Sequence, residues 1–140
     1  MKPKTILVLL VLISGLVMIS GCTTNNVNTT NETGIPGYMD VTPAEAQVLI
    51  NNTPDIVIID ASPKFDEGHL PGAVNYPVSD GSLDNAIPTL NKNDTYLVYC
   101  HVDSVAIEGA QKLVDAGFTK VYRLEGNYQA WVDAGYPVET

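Results

Sequence analysis

Short unbroken runs of hydrophobic residues alternate along residues 38–140 with segments that carry helix signals. The runs are rich in β-branched residues and lack a polar face, which is typical of strands buried on both faces of a parallel sheet. We predict strands at Asp55–Asp60, Ala73–Val78, Thr95–Cys100 and Lys120–Leu124. The second of these is the weakest, because Pro77 ends it.

The helix signals lie between these runs. Thr42 is a good N-cap, Pro43 suits the first helical position, and Glu45 completes a capping box. Two further helices are predicted at Ser104–Ala116, which ends at Gly117, and at Asn127–Gly135. Strands that alternate with helices predict a three-layer α/β domain over residues 38–140, with a central, mainly parallel sheet flanked by helices.

Residues 1–37 have a different pattern. Lys2 and Lys4 precede the apolar run Ile6–Ile19, and small residues lead into Cys22. This layout predicts a signal peptide over residues 1–21, since the run is shorter than the ~18–20 apolar residues of a membrane span. The end of the run resembles the lipobox of prokaryotic lipoproteins, which implies cleavage before Cys22 and lipidation of its thiol. An uncleaved anchor or ordinary cleavage nearby stays open, and each version places the domain outside the cytoplasm.

Residues 22–37 are polar and nearly uncharged, which predicts a flexible tether. The acceptor pattern N-x-T for N-glycosylation begins at Asn28, Asn31 and Asn93. The whole chain has 16 acidic and 7 basic residues, a formal net charge of −9. This balance argues against nucleic acid and anionic membrane surfaces as partners, so membrane attachment is expected only through the lipid. It also disfavours small anionic substrates unless the site is locally positive.

Cys100 is the chain's only cysteine besides Cys22, so lipidation of Cys22 would leave it without a disulfide partner. It follows a predicted strand and precedes a predicted helix, at the sheet edge where open α/β sheets bind ligands. A helix N-terminus and inward-facing backbone N–H groups would lower the thiol pKa. The local pattern alone leaves two readings open, a nucleophile or a small buried hydrophobic residue.

Three motifs occur in order: G-H-L-P-G-A at residues 68–73, Y-C-H-V-D-S-V-A at 99–106 and L-E-G-N-Y-Q-A-W at 124–131. Together they resemble the rhodanese family. The resemblance implies a sulfurtransferase that carries sulfane sulfur as a persulfide on Cys100. It implies a substrate-binding loop of His101, Val102, Asp103, Ser104 and Val105, with Asp60 and His69 in supporting positions. It implies no cofactor, and the soft ligands are too few for a metal site. The expected partners of this monomeric domain are a small sulfur donor and a protein persulfide or thiol acceptor.

Two departures from the family pattern concern charge. Asp103 and Val105 stand where the family usually has glycine and a cationic residue, and the arginine that commonly follows the strand aspartate is missing. Asp103 is either the N-cap of the next helix or a like charge that raises the thiol pKa. His101 is the one nearby group that could supply positive charge. Thiosulfate, a dianion, is therefore doubtful as the donor.

Three alternatives to sulfur transfer make different demands on the sequence. A catalytically weak rhodanese fold that serves as a binding or redox-sensing module at the cell surface is the main alternative. A phosphatase of the related C-x5-R type needs an arginine where this chain has Ala106. A thioredoxin-like reductase needs a C-x-x-C motif, which the sequence lacks.

Overall fold

The computed structural model describes residues 37–140, which form strands and helices in alternation. The strands are β1 (Met39–Val41), β2 (Val57–Asp60), β3 (Val74–Asn75), β4 (Tyr96–Tyr99) and β5 (Val121–Leu124). The helices are α1 (Pro43–Asn52), α2 (Ser82–Ala86), α3 (Asp103–Asp115) and α4 (Asn127–Asp133). Short 3-10 helices lie at Phe65–Glu67 and Ile87–Thr89.

The strands form one sheet in the order β1-β5-β4-β2-β3, and every neighbouring pair is parallel. Because all strands run the same way, the carboxyl ends of β2, β4 and β5 meet at one edge. Asp60, the last residue of β2, is paired with Tyr99, the last residue of β4. The chain therefore brings Asp60 and Cys100 to the same edge of the sheet.

Each face of the sheet is covered by a separate hydrophobic core. One core joins β2, β4 and β5 to α2 and α3, through residues that include Ile59, Val98, Leu83, Ala110 and Leu113. The other joins the opposite face to α1 and α4, through residues that include Ala46, Ile58, Leu97, Leu124 and Trp131. The predicted three-layer α/β architecture with a central parallel sheet is confirmed.

The capping box predicted at the start of α1 is present. The N–H of Glu45 donates to Thr42 Oγ1 at 3.3 Å, and the N–H of Thr42 donates to Glu45 Oε2 at 2.8 Å. The strand predicted at Ala73–Val78 shrinks to two residues. Strand β1 and helix α2 were not predicted, because β1 has only three residues and the N-cap of α2 is Gly81, which has no side chain to cap the helix.

The described residues leave several predictions aside. The signal peptide, the lipidation site Cys22, the tether, Asn28 and Asn31 all lie outside residues 37–140. Within that range, no helix has both the length and the apolar character that a membrane crossing requires.

Candidate active site

Cys100 lies in a three-residue connection between β4 and α3 and is 1% exposed. Its backbone is held from both sides by the start of α4. The N–H of Cys100 donates to Asn127 Oδ1 at 3.2 Å, and its carbonyl accepts the N–H of Tyr128 at 3.0 Å. Two long-range hydrogen bonds thus fix the position of the cysteine.

Opposing effects act on the Cys100 thiol, and their balance raises its pKa. Burial is the largest cause, because a buried site disfavours the charged thiolate. The backbone N–H groups of Val102 and His101 hydrogen-bond to the sulfur and lower the pKa, whereas the negative charge of Asp60 raises it. The expected N–H groups are present, but burial outweighs them.

The carboxylate that raises the thiol pKa is that of Asp60, at the end of β2. Asp60 is fully buried, and its Oδ1 accepts the N–H of Ser62 at 2.8 Å. Its Oδ2 has no hydrogen-bond partner among residues 37–140. Burial, and then the charge of Asp60, also raise the pKa of the neighbouring Tyr99 hydroxyl. Asp60 therefore makes the buried side of the site unfavourable for a second negative charge.

Replacing Asp60 by asparagine is expected to lower the pKa of the Cys100 thiol. The amide keeps an oxygen for the Ser62 N–H but removes the charge that disfavours the thiolate. The rate of alkylation by iodoacetamide, measured against pH, should be about threefold higher at pH 7. Asp55→Asn is the matched control, because Asp55 is exposed and lies before the opposite end of β2. Equal profiles for Asp60→Asn and the wild type would contradict this expectation.

Asp103 does not cap α3, so that sequence-based interpretation is wrong. The N-cap is Val102, which makes no side-chain cap hydrogen bond, and Asp103 is the first residue of the helix. The carboxylate of Asp103 accepts hydrogen bonds from Arg123 Nη1 and from Asn127 Nδ2. These two hydrogen bonds join the Asp103 carboxylate to β5 and α4, and they take the place of hydrogen bonds from the first N–H groups of α3.

Arg123 on β5 was not recognised in the sequence as a residue of this region. It is 8% exposed, and its Nε donates to Asp40 Oδ1 at 2.7 Å while its Nη1 binds Asp103. One guanidinium thus faces two carboxylates, which leaves a formal charge of −1. Arg123 stabilises Asp103 but offers no surplus positive charge to an anionic substrate.

An aromatic stack borders the cysteine. The ring of His101 lies on the ring of Tyr128, with centroids 4.4 Å apart and planes at 15°. His101 is half-buried, and its Nε2 is buried without a hydrogen-bond partner among residues 37–140. The Tyr128 ring also lies against Gly68, because a Cβ atom placed there would come within 2.9 Å of Tyr128 Cζ. His101 acts on the thiol through its backbone N–H group.

The remaining predicted site residues lie around this centre. Val102 is exposed, whereas Ser104 and Val105 belong to the first turn of α3. His69 stacks on Phe65, its Nδ1 lies 3.0 Å from the Phe65 carbonyl, and its backbone pairs with that of Glu139. His69 thus joins the turn before β3 to the C-terminal residues. The catalytic and substrate-binding roles of all these residues stay predictions.

Comparison with known proteins agrees with this fold. The family model for the rhodanese-like domain matches residues 42–134, and the chain belongs to this family. Among solved structures, the Alr3790 protein from Anabaena is 26% identical with a TM-score of 0.63, over 71% of this chain and 90% of that one. A rhodanese-related protein from Thermoplasma volcanium has the same fold, with a TM-score of 0.63 at 23% identity, over 73% and 98% of the two chains.

Curated relatives are sulfurtransferases at low identity. Thiosulfate sulfurtransferase GlpE from Coxiella burnetii is 31% identical over 96 residues, which cover 67% of this chain and 87% of the relative. Thiosulfate sulfurtransferase 18 from Arabidopsis thaliana is 28% identical over 109 residues, which cover 69% and 80%. The chain is therefore a rhodanese-like domain of sulfurtransferase-like kind.

Proposed function

We propose that the chain is a sulfurtransferase in which Cys100 carries sulfane sulfur as a persulfide. The observation that carries the proposal is the placement of Cys100 at the carboxyl edge of the sheet, directly before α3 and beside the backbone N–H groups of His101 and Val102, which lower the pKa of its thiol. These N–H groups stabilise an anionic sulfur, whether a thiolate or a persulfide.

The reaction has two half-steps. The Cys100 thiolate attacks the sulfur that the donor transfers, and a new S–S bond forms. The bond between that sulfur and the rest of the donor breaks, an S–S bond in a polysulfide or thiosulfate and a C–S bond in mercaptopyruvate, and the leaving group departs with the electron pair. An acceptor thiolate then attacks the outer sulfur of the persulfide, and Cys100 leaves as the thiolate. The two steps regenerate the enzyme without an added oxidant or reductant.

The charges around Cys100 favour a donor that is carried by a protein or has a low negative charge, such as a hydropolysulfide with a single charge. Asp60 disfavours negative charge at the sulfur. The single positive charge of Arg123 is paired with two carboxylates, those of Asp40 and Asp103. Val102, two residues after the cysteine, exposes an apolar side chain. Among residues 37–140, a free dianion such as thiosulfate would meet no unpaired cation at this site, so we rank it below a hydropolysulfide or a protein persulfide.

Sulfur loading of the purified full chain tests the proposal. The protein is incubated separately with a polysulfide, thiosulfate and mercaptopyruvate, and its intact mass is measured. We expect a gain of one sulfur atom with the polysulfide and much less with thiosulfate. Loading should accelerate as pH rises toward the raised thiol pKa, because the thiolate is the nucleophile. No gain of mass with any donor at any pH would overturn the proposal.

The second candidate is a binding or redox-sensing module built on the same fold. The raised thiol pKa favours it, because a thiol that stays protonated near neutral pH is a poor nucleophile. The same measurement separates the two, since a module of this kind takes up no sulfur and passes none to an acceptor thiol.

A further inference from the structure

Asn127 begins α4 in a conformation that is unusual for a residue with a side chain. Its φ is 59°, and it is the single non-glycine residue with positive φ in residues 37–140. Asparagine tolerates this left-handed region better than most residues, but glycine adopts it without strain. The side chain is also buried, with 4% of the residue exposed. A buried side-chain amide on a strained backbone indicates that the surrounding structure requires this residue.

The Asn127 amide joins the cysteine to the first turn of α3. Its Oδ1 accepts the N–H of Cys100 at 3.2 Å, and its Nδ2 donates to Asp103 Oδ1 at 3.0 Å. A side-chain amide has both a carbonyl acceptor and an NH₂ donor, so Asn127 can accept from Cys100 and donate to Asp103 at the same time. Since a carboxylate only accepts, Asp103 fixes which end of the amide faces Cys100.

Asp103 and Asn127 each replace a glycine of the family pattern. Asp103 stands where the rhodanese family usually has a glycine after the cysteine. Asn127 stands at the second glycine of L-E-G-G-x-x-x-W, the family segment that residues 124–131 resemble. These two departures, 24 residues apart, are hydrogen-bonded to each other. The Arg123 guanidinium holds the Asp103 carboxylate from β5 and completes the arrangement.

We propose that Asn127 is a positioning residue for Cys100, and that Asp103 acts with it as a pair by orienting its amide. The pair holds the Cys100 backbone so that the N–H groups of His101 and Val102 stay directed at the sulfur. This inference rests on the proposed role of Cys100 as the reacting thiol, and it adds a residue that sets the reactivity of that thiol.

The test is the rate of iodoacetamide alkylation against pH for Asn127→Gly in the full chain. Glycine relieves the strained backbone but removes both side-chain hydrogen bonds. We expect the thiol pKa to rise and the alkylation rate at pH 7 to fall about threefold, while thermal stability stays equal or increases. The other charged and titratable groups near the site stay unchanged in this variant: Asp40, Asp60, Asp103, Arg123 and His101. An unchanged or lowered pKa overturns the proposal.

Further variants separate positioning from a merely structural role. Asn127→Asp keeps an acceptor for the Cys100 N–H, but it loses the donor to Asp103 and adds a like charge, so the pKa should rise more than in Asn127→Gly. The double variant Asp103→Gly with Asn127→Gly should react no more slowly than Asn127→Gly alone, because the two residues act together. Additive losses would overturn the pairing.

The failure of this inference is distinguishable from failure of the proposed function. Alkylation requires no sulfur donor, so it reports only the reactivity of the thiol. A shifted profile without sulfur loading would sustain the positioning role and reject sulfur transfer. Sulfur loading with an unshifted alkylation profile would support sulfur transfer and reject the positioning role.

Discussion

Replacing Cys100 by serine is expected to reduce sulfur loading and sulfur transfer to the uncatalysed background. The serine hydroxyl has nearly the same size, but at neutral pH it neither ionises nor attacks a sulfane sulfur as a thiolate does. The measurement is the intact mass after incubation with a polysulfide, followed by transfer to an added acceptor thiol. Because one nucleophile carries both half-steps, both should be lost together.

Cys22→Ser is the matched control, because it removes the chain's other cysteine. This variant should load one sulfur atom as the wild type does. Thermal unfolding of both variants checks that the fold is retained, since Cys100 packs in the core beside Ile59 and Val98. Persistent loading of Cys100→Ser would show that the sulfur is carried elsewhere and would remove the basis of the proposed function.

Replacing Gly68 by alanine is expected to destabilise the domain by about 3 kcal/mol. Gly68 has φ 142° and ψ 141°, a region that residues with a Cβ rarely adopt, and this strain alone costs about 1–3 kcal/mol. The new Cβ would also overlap the Tyr128 hydroxyl, with Tyr128 Cζ at 2.9 Å. Since Tyr128 is stacked on His101, the ring cannot move away without breaking that stack. Urea denaturation followed by circular dichroism measures the change in unfolding free energy.

Gly135→Ala provides the comparison for backbone strain. Gly135 has φ 80°, but no atom lies within 4 Å of the position its Cβ would take. Its replacement should cost only about 1–2 kcal/mol. The combination of Gly68→Ala with Tyr128→Ala should be less destabilising than the sum of the two single changes, because the overlap is gone. Equal losses for Gly68→Ala and Gly135→Ala would show that the contact with Tyr128 is unimportant.

The sequence predicts well those features that depend on neighbouring residues. The capping box of Thr42 and Glu45 spans three positions, so its residues could be recognised together. Strands β2 and β4 come from nearly continuous apolar runs, which predict a parallel sheet, and β4 is buried at every residue while β2 is buried from Ile58 to Asp60. Strand β1 was missed because three residues carry no periodicity, and only its pairing with β5 makes it a strand.

The site was predicted in part for the same reason. Cys100, His101 and Asp103 are adjacent and lie within one motif, so their common location followed from the sequence. The bond between Asp103 and Arg123 joins residues 20 positions apart on different elements, and no local pattern encodes it. Asp60 was assigned only a supporting position, and its effect on the thiol depends on the register of β2 against β4. One feature of the sequence could have indicated the contact between Asp103 and Asn127, because both residues stand where the family pattern has glycine.

The place of β1 in the sheet has a consequence for the order of folding. The first strand pairs with the last, Met39 with Tyr122 and Val41 with Leu124, and the ion pair of Asp40 with Arg123 joins the same two strands. Contacts of such large sequence separation form late and slow the folding rate. The sheet cannot be completed during synthesis until β5 has been made, and the backbone of Cys100 is not held until α4 follows. The Cys100 thiol therefore reaches its final environment only at the end of folding.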